Sequence, residues 1–306
     1  MHTIYYLSRK DKKLRTLQKP RSGSWIHINA PTEEDIQLIL KLTKLSDTDI
    51  NDALDLYEIP RIEHHGDCVV LFVRNPTASD DAFHTQLLTV IVNDKYFITI
   101  SPSENIVVED FLKTHEDINT TQRSKLLLRL LLAIADSYTH NIKNIRNRIE
   151  IQKLHTMQIS DNEIISLTRD EQVLNQYLIS LVPMKNVFEA ILTGKYITLY
   201  EEDSDLVEDM LNSIRQFVDI CTVNLKGIQS IRNAYQILFT NKLNNTMKLL
   251  TSFTIILTIP TIIASIYGMN VHLPLERHPY AFLIILLVTG LFSSASLVIF
   301  RKLKWL

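Results

Sequence analysis

Glycine is scarce in this chain, at 6 of 306 residues, and between residues 204 and 259 only Gly227 occurs, with no proline at all. With so little to break it, that stretch can run as one uninterrupted helix. Cysteine is almost absent too. Cys68 and Cys221 lie far apart, form neither a CxxC pair nor a disulfide framework, and suit a reducing compartment. No charge of one sign prevails, since 32 Lys and Arg stand against 34 Asp and Glu for a formal charge of -2. No basic stripe with interleaved aromatics is present, so a nucleic-acid partner is not expected. The ten histidines lack metal-ligand spacing.

Catalytic signatures are missing as well. The chain has no Gly-x-x-x-x-Gly-Lys phosphate loop, Gly-x-Ser-x-Gly elbow or His-Glu-x-x-His pair. These absences argue against an ATP-driven pump and the common hydrolases, and neither an enzyme activity nor an organic cofactor is expected. The first residues, MHTIYYLSRKDKKLRTLQ, contain no apolar core of a secretory signal. The N-terminal part is therefore expected to stay in the cytosol.

What the chain does have is two long charge-free runs near its end. Residues 249–267 hold nineteen residues without a charge, and at roughly 1.5 Å per residue they span the ~30 Å hydrocarbon layer of a bilayer. A second such run covers residues 280–300. The two predict a transmembrane hairpin with a short loop. Lys242 and Lys248 precede the first span and Arg301, Lys302 and Lys304 follow the second, against Arg277 alone in the loop. By the positive-inside rule both termini are cytosolic and residues 271–279 lie outside. No acid, base or histidine sits within either span, so an intramembrane proton relay is not expected.

The first span is not uniformly apolar. Thr254, Thr258, Thr261 and Ser265 recur at steps of four, three and four, which places their hydroxyls on one helical stripe. Continued backwards, the spacing reaches Thr251 or Leu250, then Met247 and Asn244. Such a stripe fits either close packing against another transmembrane helix or the wall of a pore.

Ahead of the spans the pattern is mixed. Residues 4–7, 25–28, 68–73, 87–92 and 96–100 are short β-branched or aromatic runs bounded by turn residues. Thr32 precedes Glu33, Glu34 and Asp35 as the N-cap of a helix, and Ser46-Asp47 opens another. Residues 1–120 are thus expected to form an α/β domain, residues 121–202 a helical region, and residues 203–267 a stalk helix that continues into the membrane. The apolar section 126–135 is too short to span a bilayer and predicts a buried helix. Another helix is predicted over 161–192 with a kink at Pro183. Acids cluster twice, at Asp47, Asp49, Asp52 and Asp55 and at Asp203, Asp205, Glu208 and Asp209. Acids at helix starts complement the helix dipole, which suits Asp203 and Asp205 and accounts less well for Asp209, a turn and a half inside.

Gly268-Met269-Asn270 closes the first span, after Pro260-Thr261 and Ile266-Tyr267, and residues 301–306 form a basic tail, Arg-Lys-Leu-Lys-Trp-Leu. In these features the chain resembles the CorA magnesium transporters. The resemblance implies a homopentameric funnel: a cytosolic α/β domain, long stalk helices and a two-helix C-terminal transmembrane hairpin in the plasma membrane. It implies a selectivity mouth at Asn270 and Gly268, with Met269 and Tyr267 beside them. It further implies a polar ring at Thr261, pore-facing positions at Thr254, Thr258 and Ser265, an apolar gate at Met247 and Leu250, and an inner ring at Asn244.

Mg2+ would then be both cargo and regulatory ligand, bound between subunits by Asp52 and Asp209, with Co2+ and Ni2+ as further cargo. With no energy source in the sequence, entry is expected to be passive. Asn51 stands where many relatives carry a second acid. The loop 271–279 keeps a proline and Glu276 but not the family's Met-Pro-Glu-Leu order, and Arg277 offsets Glu276. Alternatives are a zinc transporter of the same superfamily and a membrane-anchored sensor that transports nothing.

Overall fold

The computed structural model describes residues 2–8, 14–77, 84–114, 118–154, 161–275 and 278–305. Two units are distinguished, Met1–Ser230 and Ile231–Leu306.

The first unit is built on a seven-stranded sheet. Its strands are β1 (His2–Tyr6), β2 (Arg15–Leu17), β3 (Ser24–Asn29), β4 (Arg61–His65), β5 (Cys68–Pro76), β6 (Thr85–Val92) and β7 (Tyr96–Ser101). They are ordered β2-β1-β3-β7-β6-β5-β4. Only the β3 and β7 pair is parallel, with Ser24 opposite Tyr96. Alternation along each strand divides the buried residues between two faces. Ile26, Ile28, Cys68, Val70, Phe72, Leu87, Ile91, Ile98 and Ile100 form one apolar cluster with Ile39, Ile50 and Ala53 from two short helices. These are α1 (Glu33–Thr43) and α2 (Asp47–Leu54), capped by Thr32 and Ser46 in reciprocal capping boxes, as anticipated.

The other face carries Trp25, Val69, Leu71, Val73, Leu88, Val90 and Phe97, all buried. It is covered by α3 (Ile106–Thr114), α4 (Arg123–Leu154) and α5 (Asp161–Leu192). Burial of both faces explains why β5 reads as a nearly continuous apolar run. The anticipated boundary at residue 120 does not separate two bodies. Leu127, Leu130, Leu131, Ile134 and Tyr138 of α4 are all buried, and the compact unit extends to Ser230. Two strands, β2 and β4, and helix α3 were not anticipated. Pro183 stands inside α5, which continues through it although a prolyl residue cannot bond the carbonyl one turn back.

The last two helices are α6 (Glu201–Tyr267) and α7 (Ala281–Lys302). In α6 the buried residues Val207, Met210, Leu211, Ile214, Phe217, Cys221, Ile228 and Ile231 recur at helical spacing, which gives one face to the core. That pattern then stops. Residues 236–251 are exposed without exception, including Ile237, Leu243, Met247 and Leu250. Helix α7 has no buried residue at all. By length and composition, α6 and α7 each contain a segment able to cross a membrane. Lipid or further copies must cover such surfaces.

Inside the sheet, His27 is buried beside Trp25, its Nδ1 2.8 Å from Thr99 Oγ1, which also accepts from Trp25 Nε1 at 2.9 Å. Burial lowers the His27 pKa to about 4. Its unfolded counterpart titrates near 6.5, so between those values the unfolded chain binds the extra proton and stability falls as pH falls, by roughly 3 kcal/mol in all. Above pH 6.5 and below pH 4 this contribution is flat. Thermal unfolding followed by Trp25 fluorescence, with Trp305→Phe to remove the second indole, should show the slope, and His27→Gln should flatten it. Parallel curves for the two proteins would exclude His27 as the cause.

Candidate functional site

The predicted stripe on α6 is exposed over its whole length. Asn244, Met247, Leu250, Thr254, Thr258, Thr261 and Ser265 all face away from protein in the single chain. The less exposed positions are Ser252, Ile256, Ile259, Pro260 and Ile263, and all but Pro260 fall two residues out of step, on roughly the opposite side of the helix. Thus the stripe lies on the side of the span that its own chain leaves open.

Three of its hydroxyls are oriented by the backbone. Thr254 Oγ1 donates to the Leu250 carbonyl at 2.9 Å, Thr258 Oγ1 to that of Thr254 at 2.7 Å, and Thr261 Oγ1 to that of Leu257 at 2.9 Å. Each hydroxyl proton is therefore engaged one turn back, and what remains outward is oxygen lone pairs. The stripe presents acceptors. Met247 is 54% exposed and Leu250 60%, so an apolar band interrupts it before Asn244.

At its far end the helix closes with the Gly268 amide bonded to the Ala264 carbonyl at 2.9 Å and the Met269 amide to that of Ile266 at 3.2 Å. A Cβ at Gly268 would sit 3.3 Å from the Ala264 oxygen, so a side chain there would press on the last turn. Tyr267, Met269 and Asn270 are exposed, and the Tyr267 hydroxyl reaches the Pro274 carbonyl at 3.5 Å. Glu276 and Arg277 of the loop lie outside the described residues.

The acids of α2 are less available than the sequence suggested. Asp49 caps its own helix through Ser46 and pairs with His65 Nδ1 at 3.1 Å, while Asp55 Oδ1 accepts from the Tyr57 amide at 2.9 Å. Asp52 Oδ2 accepts from Arg61 Nη2 at 2.9 Å. The same guanidinium bonds Glu58 through Nη1 and Glu63 through Nε, and lies over the Phe72 ring at 4.1 Å. Burial opposes its charge, but Glu58, Glu63 and Asp52 outweigh that and raise the Arg61 pKa. The Asp49 carboxyl is lowered overall: its burial works upward and is outweighed by Ser46, His65 and Arg61.

Among the acids at the start of α6, Asp203 is buried with one carboxylate oxygen unpartnered. Asp205, Glu208 and Asp209 are exposed. Within the single chain, Asp52 and Asp209 are not joined by any described contact, and the described residues contain no group of three or more His, Cys, Asp or Glu placed to hold a metal. Arg61, Glu63 and His65 were missed in the sequence. The sequence carried little signal for them, since Arg-Ile-Glu-His-His has one apolar residue and only the fold turns its charged positions to α2.

A family model described as CorA-like Mg2+ transporter protein matches residues 21–302. The cobalt/magnesium transport protein CorA of Methanocaldococcus jannaschii is 25% identical over 293 residues, covering 92% of this chain and 91% of that protein. The protein of the same name from Thermotoga maritima is 21% identical, with 92% and 83% covered. Among solved structures, the complete CorA magnesium transporter of M. jannaschii superposes with a TM-score of 0.83 at 22% identity, over 100% of this chain and 99% of that one. The α/β unit, the long helix and the C-terminal apolar helix are thus the CorA fold. Matched by the model over nearly its whole length, the chain belongs to the CorA-like Mg2+ transporter family, whose members are membrane transporters and not enzymes.

Proposed function

We propose that this chain is one subunit of a ring, a pentamer by its resemblance to CorA, that conducts Mg2+ inward across the plasma membrane and closes as cytosolic Mg2+ rises. Co2+ and Ni2+ would follow the same path. The observation that carries the reading is the exposed stripe of acceptor oxygens on α6, from Ser265 back to Thr254. Facing lipid, the outward lone pairs of Thr254, Thr258 and Thr261 would have no partner. Around an axis shared by identical helices they meet water. The exposed residues 236–251, with Ile237 62% and Phe239 57% accessible, support the ring, because only neighbouring copies could cover them on the aqueous side.

The chemistry suits a small hard cation. Mg2+ gives up its waters reluctantly, so a pathway that accepts hydrogen bonds from those waters avoids the cost of stripping them. The Asn270 side-chain oxygen and the Gly268 carbonyl would receive the hydrated ion at the outer mouth. The hydroxyls of Thr261, Thr258 and Thr254 would then accept from its waters in turn. Met247 and Leu250, converging from several copies, make a band that dries and bars a hydrated ion when narrow. An inside-negative potential supplies roughly 4.6 kcal/mol per 100 mV for a divalent cation, enough for passive entry.

The regulatory ligands in this reading are Asp209 of one copy and Asp52 of the next, with the first unit and both termini in the cytosol. Their oxygens fit Mg2+: Asp209 is exposed, and Asp52 Oδ1 has no partner among the described residues. An ion bound between them would tie copies together, and emptied sites would leave carboxylates that repel.

In vesicles containing a Mg2+-sensitive dye under an inside-negative potential, Asn270→Ala should cut uptake at least about tenfold, and Thr258→Val with Thr261→Val about as much. Uptake at the original rate in both would remove the pathway from this stripe. Separately, Asp52→Asn with Asp209→Asn should let uptake continue at internal Mg2+ that stops the original protein. Undiminished inhibition would dismiss these two acids as ligands.

A further inference from the structure

Arg61 stands against one of the proposed ligands of the regulatory metal. It lies on edge strand β4, whose alternation sends Arg61, Glu63 and His65 to the face occupied by α2. There it meets three carboxylates with three different nitrogens: Asp52 at 2.9 Å, Glu63 at 3.0 Å, and Glu58. The Phe72 ring backs it on the other side at 4.1 Å. The position is held from beneath as well. Buried Arg74 donates to the carbonyls of Leu56 at 2.8 Å and Glu58 at 3.1 Å, fixing the loop that joins α2 to β4. Arg61 is therefore a placed cation, and one of its contacts is a proposed metal ligand.

We propose that Arg61 is the resident counter-cation of the regulatory site, and that it sets the Mg2+ concentration at which the ring closes. This rests on the assignment of Asp52 as a ligand. With Oδ2 of Asp52 engaged by Arg61, an incoming ion has Oδ1 at its disposal and approaches a positive charge a few ångströms away. A divalent ion and a guanidinium about 6 Å apart repel, even at the dielectric of water, by an energy that weakens binding roughly tenfold. Removing the guanidinium leaves Asp52, Glu58 and Glu63 without their cation and favours the metal. The direction separates this role from simple support of the fold, since loss of a structural residue would loosen the site and weaken metal binding.

The test uses the full-length protein in detergent and in vesicles. The Mg2+ midpoint of thermal stabilisation reports binding, and the internal Mg2+ midpoint of uptake inhibition reports closure. Arg61→Gln should lower both midpoints about tenfold, whereas Arg61→Lys, which keeps the charge, should hold them within about threefold. In an Asp52→Asn background the Mg2+ response should be lost, and Arg61→Gln should not restore it. If Arg61→Gln leaves the midpoints in place or raises them while Asp52→Asn abolishes the response, the role given to Arg61 is wrong and the ligand assignment stands. If Asp52→Asn with Asp209→Asn leaves the response intact, both are wrong. Should Arg61→Gln fail to fold, Arg61→Met is read against Arg61→Lys for the same difference in midpoint.

Discussion

Handing a hydroxyl proton to the carbonyl one turn back is the interaction on which the transmembrane part of this protein depends. At Thr254, Thr258 and Thr261 it would reconcile two demands on the proposed pathway. A helix in hydrocarbon must satisfy its polar groups internally, and a pathway for hydrated ions must present polar groups outward. A hydroxyl meets both, because its one donor turns inward while its lone pairs remain accessible. The orientation also carries a sign. Waters around a cation point their hydrogens away from the ion and toward an acceptor wall, whereas an anion's shell does the opposite. The same stripe would therefore discriminate by charge with no ionised side chain in the span.

The second constraint is the continuity of α6. One helix of 67 residues contains both Asp209 and the whole stripe from Asn244 to Ser265. Within it Gly227 is the single position with a marked helix penalty before Pro260. Such an element has few places to absorb a twist or a tilt, so a change imposed near one end has to be expressed along it. Pro260 falls inside the span, where the missing amide frees the carbonyl one turn back and weakens the hydrogen-bond ladder locally. A pliable point at that depth, with a stiff helix before it, suits a part that opens and closes.

Much of this was legible from sequence because the signals were one-dimensional. Charge-free length revealed the spans, and a step of three and four revealed the stripe. Cap residues placed the starts of α1 and α2 at Thr32 and Ser46, and the lack of proline between 204 and 259, with Gly227 the one glycine, marked α6 as one rod. What could not be read was anything that depends on partners distant in sequence. β4 is an edge strand whose positions facing α2 carry Arg61, Glu63 and His65, so it lacks the apolar alternation that marks a strand. The role of α4 and α5 in closing the second face of the sheet also escaped notice. An amphipathic helix advertises that it is covered, not what covers it. The ion pair between Asp52 and Arg61 joins residues nine apart on different elements, and no spacing rule predicts it.

That pair bears on why the acids here are not simply a strong metal trap. A sensor responds only across the concentrations near its dissociation constant, and each tenfold change in that constant is about 1.4 kcal/mol. A site made of unopposed carboxylates would stay filled over the whole working range and report nothing. Two features of this chain act in the opposite direction. Asn51 carries an uncharged amide beside Asp52 where a further acid would add attraction, and Arg61 brings a positive charge into direct contact with Asp52 itself. In the proposed site both would raise the Mg2+ level needed for occupancy, by different means. The amide would lower the attraction permanently, whereas a guanidinium displaced from Asp52 would keep Glu58, Glu63 and the Phe72 ring as partners. A competitor that keeps partners after being displaced makes the exchange of cations reversible. Reversibility is what separates a regulatory site from a structural one.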